Sequence, residues 1–198
     1  MKVNIDNLPP VRAGDGNNTL EYWEREWANK GRRAETWSTK RTVNVVKELK
    51  PKTVLEVGCG AGGLLKPLKD LGADVFGIDL SQTAIDRMKK RFDINGAVLN
   101  VYDLDKLDAT FDFITAHHLF EHLIEDEKAL RLCKSKLNTG GTMLASVPNN
   151  CASPEESDDH VRMYDEESFK SLFIKVFGNC ETSNIGNHLF ARSKMGTQ

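Results

Sequence analysis

The chain has 198 residues, of which 39% are hydrophobic and 28% charged, with a formal net charge of −2. That length suits one domain with its own core, and the near-neutral charge gives no electrostatic footprint for nucleic acid. No apolar run reaches the roughly 20 residues of a membrane span, and no signal-peptide core opens the chain.

Residues 1–18 hold Pro9-Pro10 and Gly14-Asp15-Gly16-Asn17-Asn18, which punctuate rather than pack, so an irregular tail is expected. An aromatic-rich helix follows from Leu20 to Ala28, carrying Tyr22, Trp23 and Trp27, with Thr19 as its cap. A second helix spans about 34–49 and stops at Pro51. Strand and helix patterns then alternate, which predicts βαβ units and a mainly parallel sheet. Strands are expected at 53–57, 74–78, 97–101, 111–115 and 141–147, and helices at 63–71, 81–92, 118–136 and 165–177. The last apolar stretches read as a hairpin around Gly186-Asn187. Cys59, Cys133, Cys151 and Cys180 show no C-x-x-C spacing and read as reduced thiols of a cytoplasmic protein.

The run from Val54 to Gly63 is the most informative segment. An apolar strand carrying one acid, Glu56, breaks into a glycine-dense turn, and a helix pattern follows. Glycines admit positive φ and close approach of a ligand, and the N–H groups opening a helix favour hydrogen-bond acceptors. A nucleotide-type cofactor is therefore expected over this turn, at the carboxyl end of the first strand. Gly58, Gly60 and Gly63 spell G-x-G-x-x-G, and Asp79 ends the next apolar run, where a ribose-binding carboxylate belongs. This pattern serves NAD as well as S-adenosylmethionine, so an NAD(P)-dependent oxidoreductase is one rival reading. Glu56 favours the second cofactor. An acid there would repel a pyrophosphate and attract an amino acid bearing a sulfonium.

The segment Val54–Asp79 resembles motifs I and II of the class I S-adenosylmethionine-dependent methyltransferases. The likeness continues through Asp103, Phe111–His117, Glu121-His122-Leu123, the Gly140-Gly141 turn and Leu144–Asn149. It covers roughly residues 40–193 and is most similar to the small-molecule methyltransferases of ubiquinone and menaquinone biosynthesis. The resemblance implies an α/β Rossmann-like fold. Its sheet would be mostly parallel and seven-stranded, with a C-terminal antiparallel hairpin and helices on both faces. It implies methyl transfer from S-adenosyl-L-methionine to oxygen or nitrogen of a small-molecule acceptor, leaving S-adenosyl-L-homocysteine (SAH). A non-catalytic protein that only binds this cofactor is the other rival. Residues 1–35 would form an N-terminal tail and helical lid, and 36–198 the methyltransferase domain of a monomer or homodimer.

On this resemblance Glu56 faces the amino-acid part of the cofactor, and Gly58, Cys59 and Gly60 supply close main chain. Asp79 takes the ribose hydroxyls, Leu80 packs on the adenine, Asp103 and Leu104 hold its amine edge, and Ala116 joins them. Asp105 lies close enough to stand in for Asp103. Lys40 or Arg41 would reach the cofactor carboxylate. The acceptor pocket is expected after the fourth and fifth strands, with His117, His118 and Asn149. His117 and His160 are the candidate general bases. His118 and His122 would lie one helical turn apart, but H-x-x-x-H alone is a weak metal signal, so no metal is expected and His122 is read as a helix-packing residue. Tyr22 and Trp37 are placed in the lid or substrate pocket, while Trp23 and Trp27 suit either a lid or ordinary core.

Overall fold

A computed structural model describes residues 3–5, 8, 18–29, 37–149 and 153–196. Most of the expected tail, the first residues of the second predicted helix, the Trp37 side chain, Asn150 and Cys151 lie outside the described residues. Asn18 is buried rather than part of a loose tail, and Asn4 forms an antiparallel bridge with Asp108.

Seven strands form one sheet in the order β3-β2-β1-β4-β5-β7-β6. They are β1 Thr53–Val57, β2 Asp74–Asp79, β3 Gly96–Val98, β4 Phe111–His117, β5 Leu137–Pro148, β6 Glu181–Ile185 and β7 His188–Lys194. β1 to β5 pair in parallel, while β7 runs antiparallel between β5 and β6. The expected terminal hairpin is therefore present and closes the sheet. The strands alternate their buried side chains between two cores. Leu55, Phe76, Ile114 and Met143 pack on one face with Leu130 of helix α5 (Asp126–Ser135) and Phe169 and Phe173 of α6 (Glu166–Phe177). Val54, Val75, Phe113 and Leu144 pack on the other with Val45 of α2 (Trp37–Leu49), Leu65 of α3 (Leu65–Asp70) and Met88 of α4 (Gln82–Phe92).

Two expected elements differ. The third strand ends at Val98, and the chain passes at Val101–Lys106 into a 3₁₀ turn. The predicted helix over 118–136 begins only at Asp126, after a short 3₁₀ turn at Phe120–His122. His118 adopts a left-handed φ of 51°, which an α-helix cannot carry. The Glu121 carbonyl is taken by the Val161 N–H at 2.9 Å and that of His122 by Asn18 Nδ2 at 3.3 Å, so tertiary donors replace a helical ladder. Strand order reverses between β1 and β4, and ligands of open α/β sheets bind at the carboxyl ends of the strands flanking such a reversal. Among the described residues no helix is long and apolar enough to cross a membrane.

Candidate active site

Beyond Val57 the chain turns through Gly58 and Gly60, with φ of 73° and 50°. The N–H groups of Gly58 and Cys59 both donate to the Ile78 carbonyl, at 2.8 and 2.9 Å, which ties this turn to the end of β2. Asp79 accepts from Gly60 N at 2.8 Å and from Ser81 N at 3.0 Å. Each oxygen keeps a further lone pair for a ligand hydroxyl. Ser81 itself caps α4, accepting from Ala84 N at 3.1 Å, so Asp79 is spared that task.

Glu56 and Asp79 are 5% and 9% exposed, and both border a cavity of about 700 Å³. Burial, and then the Asp79 charge, pushes the Glu56 carboxyl well above the usual carboxylate range. Burial also raises Asp79, while the N–H groups of Ser81 and Gly60 pull it back down. Glu56 Oε2 has no hydrogen-bond partner among the described residues. A ligand ammonium group answers that orphaned oxygen; a diphosphate would meet two acids. Cys59 shares the enclosure, and burial drives its thiol well above the ordinary value, so it contributes main chain and bulk rather than a nucleophile.

Leu80 borders the cavity, but Asp103 and Leu104 do not. Asn100 caps the 3₁₀ turn by accepting from Tyr102 N at 3.0 Å, and it brings Asn100, Val101 and Tyr102 to the wall instead. Asp103, 1% exposed, and Leu104, fully enclosed, turn towards the core, which corrects the expected adenine contacts. Ala116 is likewise fully buried in the sheet and off the wall.

His117 is on the wall but is held fast. Its Nε2 lies 2.8 Å from both Thr42 Oγ1 and Thr115 Oγ1, and its Nδ1 lies 2.6 Å from Ser146 Oγ. Desolvation, with smaller effects from His118 and His188, lowers it to about 3. So weak a base takes no proton from an acceptor near neutral pH. Its two ring nitrogens are both engaged by hydroxyls, which argues against the general-base role expected for His117. His118 Nδ1 lies 3.2 Å from Glu121 Oε1. Glu121, His122 and His160 converge on the same wall, with the two imidazole rings 4.9 Å apart. His122 is thus a wall residue and not one packed inside a helix.

Helix α1, Leu20–Asn29, roofs this space. Thr19 caps it, accepting from Tyr22 N at 3.1 Å. Trp23 and Trp27 face the cavity and Tyr22 does not, the reverse of the preference read from sequence. Tyr22 lies instead against Asp159; burial first and then that carboxylate push its hydroxyl up to about 12. Trp23 meets the His122 ring edge-on at 5.2 Å. Glu24 accepts from the N–H groups of Gln82 and Thr83 at the start of α4, and Arg87 donates to the carbonyls of Trp27 and Ala28. Thr39 borders the cavity, whereas Lys40, Arg41 and Asn149 do not; the Asn149 backbone N–H donates to the Asn187 carbonyl at 2.9 Å.

Residues 28–176 match the family described as methyltransferase domain. The chain belongs to that family. The chain is 35% identical over 106 residues to a ubiquinone biosynthesis O-methyltransferase of Coxiella burnetii, a match covering 51% of the chain and 45% of that protein. It thus spans about half the length of the curated relatives it matches. Among solved structures, its fold is shared with the magnesium protoporphyrin IX methyltransferase of Synechocystis with bound SAH (TM-score 0.67, 13% identity, covering 92% of this chain and 97% of that one). An S-adenosylmethionine-dependent methyltransferase of Clostridium acetobutylicum shares it too (TM-score 0.65, 14% identity, 80% and 90% covered). These likenesses establish the Rossmann-like methyltransferase fold.

The glycine turn, Glu56, Asp79, Leu80, His117, His118 and His160 come together around one cavity, as the sequence suggested. Glu24 and Asn100 were missed, while Trp23 and Trp27, which suited a lid or a core, line the cavity. Asn100 carried a signal, since an Asn after a strand readily caps a turn; Glu24 carried none, because its partner lies 58 residues away.

Proposed function

We propose that the protein is a cytoplasmic S-adenosyl-L-methionine-dependent methyltransferase acting on a small molecule at oxygen or nitrogen. The observation that carries this reading is the pair of buried carboxylates, Glu56 and Asp79, flanking the glycine turn on one cavity wall. Glu56 would hold the donor's ammonium group and Asp79 its ribose hydroxyls, with Leu80, Val101 and Tyr102 around the base. Bound there, S-adenosyl-L-methionine supplies a methyl group already activated by its sulfonium. The protein's part is to orient and desolvate, and orientation of two reactants is worth about 7–11 kcal/mol. Trp23 and Trp27 exclude water, and His117, fixed by three hydroxyls, shapes the wall near the reacting atoms. Residues 1–35 serve as tail and lid over the domain formed by 36–198, which works as a monomer or homodimer without a nucleic-acid partner. The similarity to ubiquinone biosynthesis O-methyltransferases favours oxygen as the methylated atom.

Calorimetry of the full chain with S-adenosyl-L-methionine, SAH and NADH tests the reading. Binding of the first two, abolished in Asp79→Ala, supports it; tight binding of NADH alone overturns it. Cofactor consumption with a panel of small phenols, amines and acids separates an enzyme from a protein that only binds.

A further inference from the structure

We propose that Glu24 of the lid determines which nucleosides the donor half of the cavity accepts, admitting a bare ribose and turning away one that carries a phosphate on either hydroxyl. This rests on the methyl-transfer reading, in which Asp79 takes the two ribose hydroxyls. The Asp79 carboxylate lies against the start of α4, accepting from Ser81 N at 3.0 Å. A phosphate on either hydroxyl therefore reaches for the N–H groups that open α4, the usual seat of such an anion.

That seat is already taken. Helix α4 has no acid in its own first turn, and Glu24, 58 residues before Gln82, supplies one from α1. Its Oε1 accepts from Gln82 N, and its two oxygens lie 3.3 and 3.4 Å from Thr83 N. Burial opposes the charge on Glu24. The Thr83 hydroxyl, the N–H groups of Thr83 and Gln82 and the Ser81 hydroxyl outweigh it and hold the carboxyl below its ordinary range. Glu24 is thus an anion near neutral pH. Asp79 is raised by burial and, in smaller part, by the Glu24 charge, so the two carboxylates feel each other.

A phosphate entering here meets Glu24 and Asp79 as like charges. It gains the N–H groups of α4 only by displacing Glu24, which also loosens the hold of the lid on that helix. Arg87, a cation of the kind that accompanies a ribose phosphate, is committed to the Trp27 and Ala28 carbonyls of α1. A bare diol meets no such opposition: its hydroxyls donate to Asp79 and leave Glu24 in place. Repulsion of this kind rejects the wrong ligand without adding a contact to the right one. The class turned away is adenosine phosphorylated on its ribose 2′ or 3′ oxygen, the form found in phosphorylated nicotinamide dinucleotides and adenosine-based acyl carriers.

The test is calorimetry of the full chain with SAH, adenosine, and adenosine 2′-, 3′- and 5′-monophosphate, the last as a control whose phosphate sits at the other end of the ribose. The wild-type protein should bind the 2′- and 3′-phosphates about 100-fold more weakly than adenosine. Glu24→Gln, which keeps an acceptor oxygen for α4, should cut that penalty about 10-fold and leave the ratio of 5′-phosphate to adenosine unchanged. Glu24→Ala, which clears the seat, gives the same reading should the amide variant fold poorly. Equal wild-type affinity for adenosine and its 2′- and 3′-phosphates overturns the proposal. So does a penalty unchanged in both variants, or a gain shared by the 5′-phosphate, which reports net charge alone. If neither SAH nor adenosine binds the wild-type protein, the methyl-transfer reading falls and this inference with it; SAH binding with a penalty indifferent to Glu24 sinks this inference alone.

Discussion

The Trp27 ring lies against Gly60, where a Cβ on that glycine would run into its six-membered ring. Gly60 therefore meets two demands at once, a φ of 50° in the turn and a bare surface under the lid.

Gly60→Ala should accordingly unfold about 1–3 kcal/mol more easily and lose most of its affinity for SAH. Adding Trp27→Ala removes the collision but leaves the backbone strain. Denaturant midpoints of the two single variants and the double variant check this, with partial recovery of stability expected in the double.

Glu56→Gln should separate stability from binding. Burial and Asp79 raise the carboxyl in the folded state, so the folded protein holds a proton that the unfolded chain releases above its ordinary carboxylate pKa. Stability therefore falls as pH rises from about 4.5, and the amide removes that loss. The variant should melt higher than wild type at pH 7, with the difference shrinking towards pH 4, while SAH binds more weakly. Melting curves across pH and one titration measure both.

His117 makes the opposite contribution. Its folded pKa of about 3 lies below the unfolded value of 6.5. As pH falls from about 6.5 towards 3, the unfolded chain gains a proton that the folded one refuses, and stability drops by up to about 1.4 kcal/mol per pH unit. His117→Asn should flatten this acid slope. It should leave the pH profile of turnover in the neutral range unchanged in shape, since the native imidazole does not titrate there.

Glu24→Ala should loosen the lid. Its carboxylate answers the free N–H groups at the start of α4, a contact whose loss costs about 1 kcal/mol. Faster hydrogen exchange over residues 20–29 is expected, with little change in β1 or β4, and turnover should fall more than SAH binding.

The strands were readable because their alternating apolar residues serve two cores, and the glycine turn because Gly58, Gly60 and Asp79 each do a local job. Errors arose where distant partners decide the backbone. Asp103 looked like a pocket residue, yet in the turn capped by Asn100 it is buried off the cavity wall. The stretch after His117 had helical periodicity, yet Asn18 and Val161 took its carbonyls from 104 and 40 residues away. Trp23 and Trp27 could be placed only with the lid docked, because helical spacing alone suits a lid and a core equally.

Helix α1 and the residues just before it are moored at two places: by Glu24 and Arg87 to α4, just beyond Asp79, and by Asn18 and Tyr22 to the loop that presents His160. A short helix held at both places gives a stiff route by which filling one compartment would alter the fit at the other. On the proposed methyl transfer, whatever factor the donor applies to acceptor affinity, the acceptor would apply to donor affinity, and the order in which the two arrive leaves that factor untouched.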